Sequence, residues 1–161
     1  MYYINYFFIM SILGHFIEST FFSNNGSGFL YSYWTPIYGI GAVIILIIYK
    51  YVNKTNLKRF SKIITLFIIC AITLSFIEII GGYLIKLAFH KELWNYTNHK
   101  FHIGKYTSLE MSLIWGLSSI LFIYIIKPFV DKIVFKVPKF LSLVCISLFI
   151  LDIIVTLVIK T

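Results

Sequence analysis

Five long apolar stretches dominate the sequence and leave room for little else. They cover roughly residues 3–22, 36–50, 63–86, 109–126 and 140–159. An α-helix needs about 20 consecutive apolar residues to cross the hydrocarbon core of a bilayer. We therefore predict an all-α integral membrane protein with about five transmembrane helices, and a single membrane domain over residues 1–161.

The composition supports this prediction. Hydrophobic residues make up 60% of the chain and charged residues only 12%, whereas a soluble domain carries about twice that charge. One small core cannot hide so much apolar surface, so lipid must solvate much of it. Arg59 is the only arginine, while Ile, Asn and Lys are abundant. That bias is typical of an AT-rich coding sequence and favours a bacterial source.

Basic residues cluster between the apolar stretches. Residues 50–62 contain five and residues 127–139 contain four, against five in the segments on the other side. Positive residues favour the cytoplasmic side of a membrane and bind anionic headgroups. We predict a multi-pass cell-membrane protein with a cytoplasmic N-terminus and an external C-terminus. The net charge of +8 then reflects topology, and we predict no nucleic-acid partner.

An internal repeat relates the first four stretches. Phe16-Ile17-Glu18 recurs as Phe76-Ile77-Glu78, and Ile37-Tyr38-Gly39-Ile40 is matched by Ile114-Trp115-Gly116-Leu117. Copies with the same orientation are related by an axis along the membrane normal. We predict two repeated helical hairpins followed by one C-terminal helix. The alternative is a chance match between apolar sequences built from few residue types.

The segment before the second stretch is apolar but irregular. Pro36 suits a first helical position, and Thr35 suits a helix cap. Non-helical backbone at membrane depth is tolerated only against protein or a wet cavity. We therefore interpret residues 26–36 as a loop that dips back into the outer part of the bundle, with a fully solvated loop as the alternative.

Four acids lie within or at the ends of the apolar stretches, namely Glu18, Glu78, Glu110 and Asp152. An acid at mid-helix costs about 2.5–3.5 kcal/mol on insertion. With the predicted topology all four fall in the outer half of the membrane, which indicates an outer-facing polar cavity for a cation, a proton or a substrate amine. The alternative is structural, and for Glu110 it is specific: Thr107-Ser108-Leu109-Glu110 fits a capping box.

Other polar and aromatic residues accompany these acids. His15 precedes Glu18 by three positions, so the two share a helix face and His15 could relay protons or simply pack. His99 and His102 lack a third ligand nearby, and we predict no metal and no cofactor. The substrate-binding or proton-coupling candidates are Glu18, Glu78, Glu110, Asp152, His15, Tyr38, Trp94 and Trp115.

Six segments carry a resemblance that covers most of residues 7–130. They are Ile12–Glu18, Gly28–Leu30, Pro36–Gly41, Glu78–Leu84, Trp94–Tyr96 and Ser112–Gly116. In this order they resemble the bacterial family described as Putative ABC-transporter type IV, or ABC transporter permease. His15 stands where that family usually has an aromatic residue, and Asn95 where it usually has an acid. The resemblance implies a component of a transport system.

Three functions follow as hypotheses. The first is a small-solute transport component, permease-like or substrate-binding, with a separate ATPase docked on the basic cytoplasmic loops. The sequence contains no glycine-rich phosphate loop, so the chain itself would not hydrolyse ATP. The second is an intramembrane enzyme for lipid or envelope precursors, with Glu18 or Glu78 as general base. The third is a non-catalytic assembly or sensor subunit, and an oligomer is compatible with all three.

Overall fold

The computed structural model describes residues 1–21 and 30–160. Helices account for 77% of it, which confirms the helical fold class, and the only strands in this described part are two residues long. The elements are α1 (Tyr2–Phe21), α2 (Pro36–Asn53), α3 (Arg59–Phe89), β1 (His102–Ile103), β2 (Thr107–Ser108), α4 (Leu109–Leu121), a π-helical segment (Phe122–Ile126), α5 (Lys127–Val134) and α6 (Lys139–Lys160).

Four helices among the described residues are long and apolar enough to cross a membrane. They are Pro36–Asn53, Arg59–Phe89, Leu109–Val134 and Lys139–Ile159, and they match the second to fifth predicted stretches. The first helix, α1, has 20 residues, but Asn5, His15 and Glu18 interrupt its apolar sequence and it is not among the four. Five crossings therefore remain a prediction.

Helix α3 buries its one acid and exposes a continuous row of large apolar side chains. Residues four positions apart lie on one side of a helix. One such row is buried: Leu66, Cys70, Leu74, Glu78 and Gly82. Another is exposed and wholly apolar: Ile64, Ile68, Ile72, Phe76 and Ile80. A helix facing water would expose its acid and bury this apolar row, so the exposed row indicates contact with lipid.

Contacts divide the chain into two compact units, of which the first comprises Met1–Val43 and Phe129–Thr161. Within this unit two glycines allow α1 and the start of α2 to pack closely. A Cβ at Gly14 would collide with the ring of Tyr38. A Cβ at Gly39 would collide with Ser11 Oγ and lie 2.5 Å from the carbonyl oxygen of Phe7. Small residues at these positions are therefore required for the helix contact.

A polar network joins the start of α1 to α5 and α6. The hydroxyls of Tyr2 and Tyr6 donate to Asp131 Oδ1 over 2.9 and 2.6 Å. Ser142 Oγ donates to Asn5 Oδ1 over 2.6 Å. Tyr6, Asn5 and Ser142 are buried. Because each of these bonds joins residues more than 120 positions apart, the network fixes the chain's beginning against its last two helices.

The second unit, Ile44–Pro128, is built on the pair α3 and α4. Gly116 of α4 faces the ring of Phe67, where a Cβ would lie only 2.7 Å from a ring carbon. One turn earlier, the hydroxyls of Ser75 and Ser112 are 2.6 Å apart. Hydroxyl bonds of this kind join helices where lipid offers no competing partner.

The fourth span contains a π-helical turn with a local cause. Pro128 has no N–H to donate to the carbonyl four residues earlier, and its ring crowds the preceding turn. The N–H of Lys127 accordingly donates to the carbonyl of Phe122, five residues back. The helix then continues as α5, so the predicted fourth stretch is longer than expected and ends at Val134.

The predicted dipping segment, residues 26–36, lies partly outside the described residues. In its described part Leu30 and Thr35 are buried, while Tyr31 and Tyr33 are 54% and 72% exposed. The backbone N–H of Thr35 donates to the carbonyl of Ser11 over 3.0 Å. This bond places the beginning of α2 beside the middle of α1.

Candidate functional site

The best-defined polar site in the second unit is centred on Glu78. Its side chain is only 3% exposed, so it faces the protein interior. Tyr96 Oη donates to Oε1 over 2.9 Å, and Thr107 Oγ1 donates to Oε2 over 2.9 Å. The indole N–H of Trp115 lies close to the same carboxylate. Both carboxylate oxygens are therefore satisfied by the chain itself.

The segment between α3 and α4 brings these donors to Glu78. Trp94 Nε1 donates to the carbonyl of Tyr106 over 3.2 Å, and the Trp94 ring lies against Gly81. The Tyr106 ring packs directly on Gly82, where a Cβ would be 2.5 Å from it. The two adjacent glycines of α3 thus let the segment fold back onto the helix.

Ion pairs close this segment at its surface. Glu92 Oε1 lies 2.6 Å from Lys105 Nζ and 3.1 Å from Lys86 Nζ. The hydrogen bond from Lys105, followed by that from Lys86, holds the pKa of the Glu92 carboxyl below its usual value. The side chains are partly exposed, so these pairs contribute little to stability.

The predicted capping box at the start of α4 is wrong in its residues. The N-cap is Ser108, whose Oγ accepts the N–H of Met111 over 3.2 Å. Thr107 instead pairs with Ile103 in the small hairpin and gives its hydroxyl to Glu78. A buried carboxylate is costly without a hydrogen-bond donor, so the Thr107 hydroxyl is better used on Glu78. Ser108 caps the helix equally well in its place. Glu110 lies 4.0 Å from His99.

Asp152 of α6 acts as an anchor in the first unit. It is 4% exposed, and its two oxygens accept the backbone N–H groups of Tyr31 and Ser32, each over 3.1 Å. Thr156 adds a long contact of 3.4 Å. Paired backbone N–H groups are a favourable setting for a buried carboxylate. The contacts of Asp152 therefore explain how the segment before α2 is held.

Glu18 lies near the end of α1 and is only partly buried. It is close to the Thr35 hydroxyl, which is buried and forms no hydrogen bond of normal geometry in the described part of the chain. His15, one turn earlier on the same face, is buried with its ring edge-on to Tyr33 at 5.1 Å. Tyr38 packs on Gly14, one turn below Glu18.

The structure thus groups the eight predicted residues by unit. Glu78, Trp94, Trp115 and Glu110 belong to the second unit, where Trp115 lies close to the Glu78 carboxylate and Trp94 contacts Gly81 and the carbonyl of Tyr106. Glu18, His15, Tyr38 and Asp152 belong to the first. Among the described residues, no group of three or more His, Cys, Asp or Glu side chains could hold a metal ion.

Three polar residues were missed as parts of these networks. Tyr96 was not among the predicted site residues, although it ends the segment Trp94–Tyr96 that carries the family resemblance, which was a usable signal. Thr107 was interpreted as a cap. Asp131 is surrounded by lysines in the sequence, and nothing local points to its bonds with Tyr2 and Tyr6.

Comparison with known proteins gives one positive result. The family model described as Putative ABC-transporter type IV matches residues 5–157 of the chain. No curated protein and no solved structure gives a significant match. The family match includes all eight predicted residues and confirms the resemblance drawn from the six sequence segments.

Proposed function

Because the chain belongs to the family described as Putative ABC-transporter type IV, we propose that it is the membrane-embedded component of a small-solute transport system. Its role is permease-like or substrate-binding. A separate ATPase subunit supplies the energy from the cytoplasmic face. The solute binds in a polar region of the outer half of the bundle, beside the intramembrane acids.

The observation that carries this proposal is the placement of acids in apolar helices. Glu78 and Asp152 are both at least 96% buried, on helices whose exposed residues are large and apolar. Acids on the protein side of membrane helices are costly and mark solute or ion pathways, or the supports of such pathways. The family description supports transport over the enzymatic and sensory hypotheses.

Two matching contacts support the proposed duplication. Glu78 lies 60 positions after Glu18, and Phe67 lies 60 positions after Phe7. Gly39 packs against Phe7 in the first unit, and Gly116, its repeat counterpart, packs against Phe67 in the second. Each hairpin therefore has the same glycine–phenylalanine contact. The two phenylalanines are separated by the same 60 positions as the two acids. Duplicated hairpins of this kind are common in transporters.

The region around α5 is the proposed docking surface for the ATPase. Phe129, Phe135 and Phe140 are 65%, 75% and 77% exposed, and Lys132 lies 5.7 Å above the Phe129 ring. Lys136 is also exposed. A short amphipathic helix with exposed aromatic and basic side chains fits an acidic, partly apolar groove on a partner.

Affinity purification in mild detergent tests the proposed partner. Wild-type chain is expected to retain an ATPase, identified by mass spectrometry, and to show ATP hydrolysis. Lys132→Glu combined with Lys136→Glu should lose it, because two charges at the docking surface are reversed. Lys91→Glu combined with Lys100→Glu reverses two exposed charges in the segment between α3 and α4, on the opposite side in the proposed topology, and should keep it. Purification without any ATPase would contradict the proposal.

Cysteine labelling tests the proposed orientation. Asn98→Cys, in the segment between α3 and α4, should react in intact cells with a membrane-impermeant maleimide. Asn56→Cys, between α2 and α3, should react only after lysis. Both positions are exposed, and wild type is the background control because Cys70 is buried and Cys145 partly so. The reverse pattern would place the acids in the inner leaflet.

A further inference from the structure

We propose that a groove between α1, the start of α2 and α6 binds one acyl chain of an anionic phospholipid, and that Lys139 binds the phosphate of its headgroup. The residues that form the groove, and Lys139, all belong to the first unit. Such a fixed lipid site is separate from the intramembrane acids and does not depend on the transport role.

The groove has the size and lining of a site for a hydrocarbon chain. Its volume is about 350 Å³, within the range of about 300–1,000 Å³ that is typical of small-molecule sites. Apart from the Tyr3 hydroxyl, its lining consists of aliphatic side chains and aromatic rings. Three helices supply it: Tyr3, Ile4 and Phe7 of α1, Val43 of α2, and Ile146 and Phe149 of α6.

Two sets of contacts hold α1 and α6 together at the groove. Ser142 Oγ donates to Asn5 Oδ1 over 2.6 Å, and both residues are buried. The ring of Phe149 packs edge-on against those of Phe7 and Phe8, with centroid distances of 5.2 and 5.8 Å. The walls of the groove are therefore fixed by the chain itself, which lowers the cost of ordering a bound lipid.

Lys139 begins α6 on the helix face that is turned to the groove. Residues seven positions apart lie nearly in line along a helix, and Lys139 precedes Ile146 by seven. Ser142 precedes Phe149 by the same spacing, and its bond to Asn5 shows that this face is turned to α1. At a rise of about 1.5 Å per residue, Lys139 lies about 10 Å from Ile146 along the axis. Its exposed side chain can reach a headgroup while the acyl chain lies in the groove.

Charge complementarity selects an anionic lipid. Residues 129–142 contain three lysines, Lys132, Lys136 and Lys139, and a single acid, Asp131. Lysines at a membrane surface attract anionic headgroups. They would repel the choline group of a zwitterionic lipid. A phospholipid with a net negative charge is therefore the occupant that matches both the apolar groove and its basic end.

Photolabelling in vesicles tests this site. The chain is reconstituted in phosphatidylcholine with a trace of phosphatidylglycerol that carries a diazirine in one acyl chain. On illumination the diazirine loses N₂, and the resulting carbene inserts into neighbouring C–H or O–H bonds. Peptide mass spectrometry should find the label on residues 3–8 and 146–149. Replacing part of the phosphatidylcholine by unlabelled phosphatidylglycerol, at constant total lipid, should lower this label.

The exposed face of α3 provides an internal control in the same sample. Phe76 and Ile80 are 61% and 55% exposed and should be labelled by general contact with lipid. Such contact does not select a headgroup, so their label should stay constant when unlabelled phosphatidylglycerol replaces phosphatidylcholine.

Two matched pairs of variants separate the headgroup from the acyl chain. Lys139→Gln should lower the groove label about fivefold, the effect of one lysine at a membrane surface. Lys58→Gln removes another exposed lysine, between α2 and α3, and should behave as wild type. Val43→Phe narrows the groove and should also lower the label. Val158→Phe makes the same change at an exposed position of α6 and should not.

Four results would each overturn the proposal. Groove label that phosphatidylglycerol does not displace, or equal groove label in wild type and Lys139→Gln, would exclude recognition of the headgroup. Unchanged label in Val43→Phe would place the acyl chain outside the groove. Label on α3 without label on the groove would mean that another occupant, such as a second copy of this chain, covers it. The labelling needs no ATPase, so its result is independent of the transport proposal.

Discussion

Replacing Gly82 by alanine is expected to destabilise the protein by about 1–3 kcal/mol, because the added methyl group overpacks a filled site. A Cβ at Gly82 would lie 2.5 Å from the ring of Tyr106, at Cγ, near the root of the side chain. Tyr106 is 2% exposed and cannot swing away. The change must therefore push the segment that carries Thr107 away from Glu78, or distort α3.

The adjacent glycine provides the control. At Gly81 the nearest atoms to a Cβ belong to Trp94 and are 3.7 Å away, an ordinary contact. Gly81→Ala should leave stability unchanged or raise it slightly, since alanine favours a helix by up to about 1 kcal/mol.

Thermal unfolding in detergent measures the difference between the two glycine variants. Gly82→Ala should lower the midpoint by about 3–10 °C, and Gly81→Ala should not lower it. Equal midpoints for the two variants would mean that the Tyr106 contact is not required.

The membrane spans could be predicted from sequence because their cause is local. A run of apolar residues long enough to cross a bilayer can be recognised from the sequence alone. Four of the five predicted stretches form helices that meet this criterion in the structure. The burial of Glu78 was also predictable, since an acid exposed to hydrocarbon is costly. These conclusions needed no knowledge of distant contacts.

The partners of the acids could not be predicted, because they depend on the path of the chain between helices. Thr107 fitted a helix cap equally well, and only the fold of the preceding segment directs its hydroxyl to Glu78. Asp152 was grouped with the binding candidates on its position alone. Its two backbone partners lie about 120 positions earlier, and backbone N–H groups leave no signal in a sequence.

The second large effect is expected for Asp152→Asn. An asparagine keeps one carbonyl oxygen for the N–H of Tyr31 or Ser32 but turns an NH₂ group toward the other. A buried donor without a partner costs about 1–3 kcal/mol. The segment before α2 should therefore open more often, by about 5- to 150-fold, and expose its backbone around Tyr31 and Tyr33.

Limited chymotrypsin digestion measures this opening, because cleavage after Tyr31 or Tyr33 follows the population of the open segment when closing is fast. Thr156→Val is the matched control, since it removes only the 3.4 Å contact to the same carboxylate and should be cleaved at nearly the wild-type rate. If Asp152→Asn is instead cleaved at the wild-type rate, the Thr35–Ser11 backbone hydrogen bond, and not Asp152, holds the segment in place. Asp152 could then have a direct role in binding the solute.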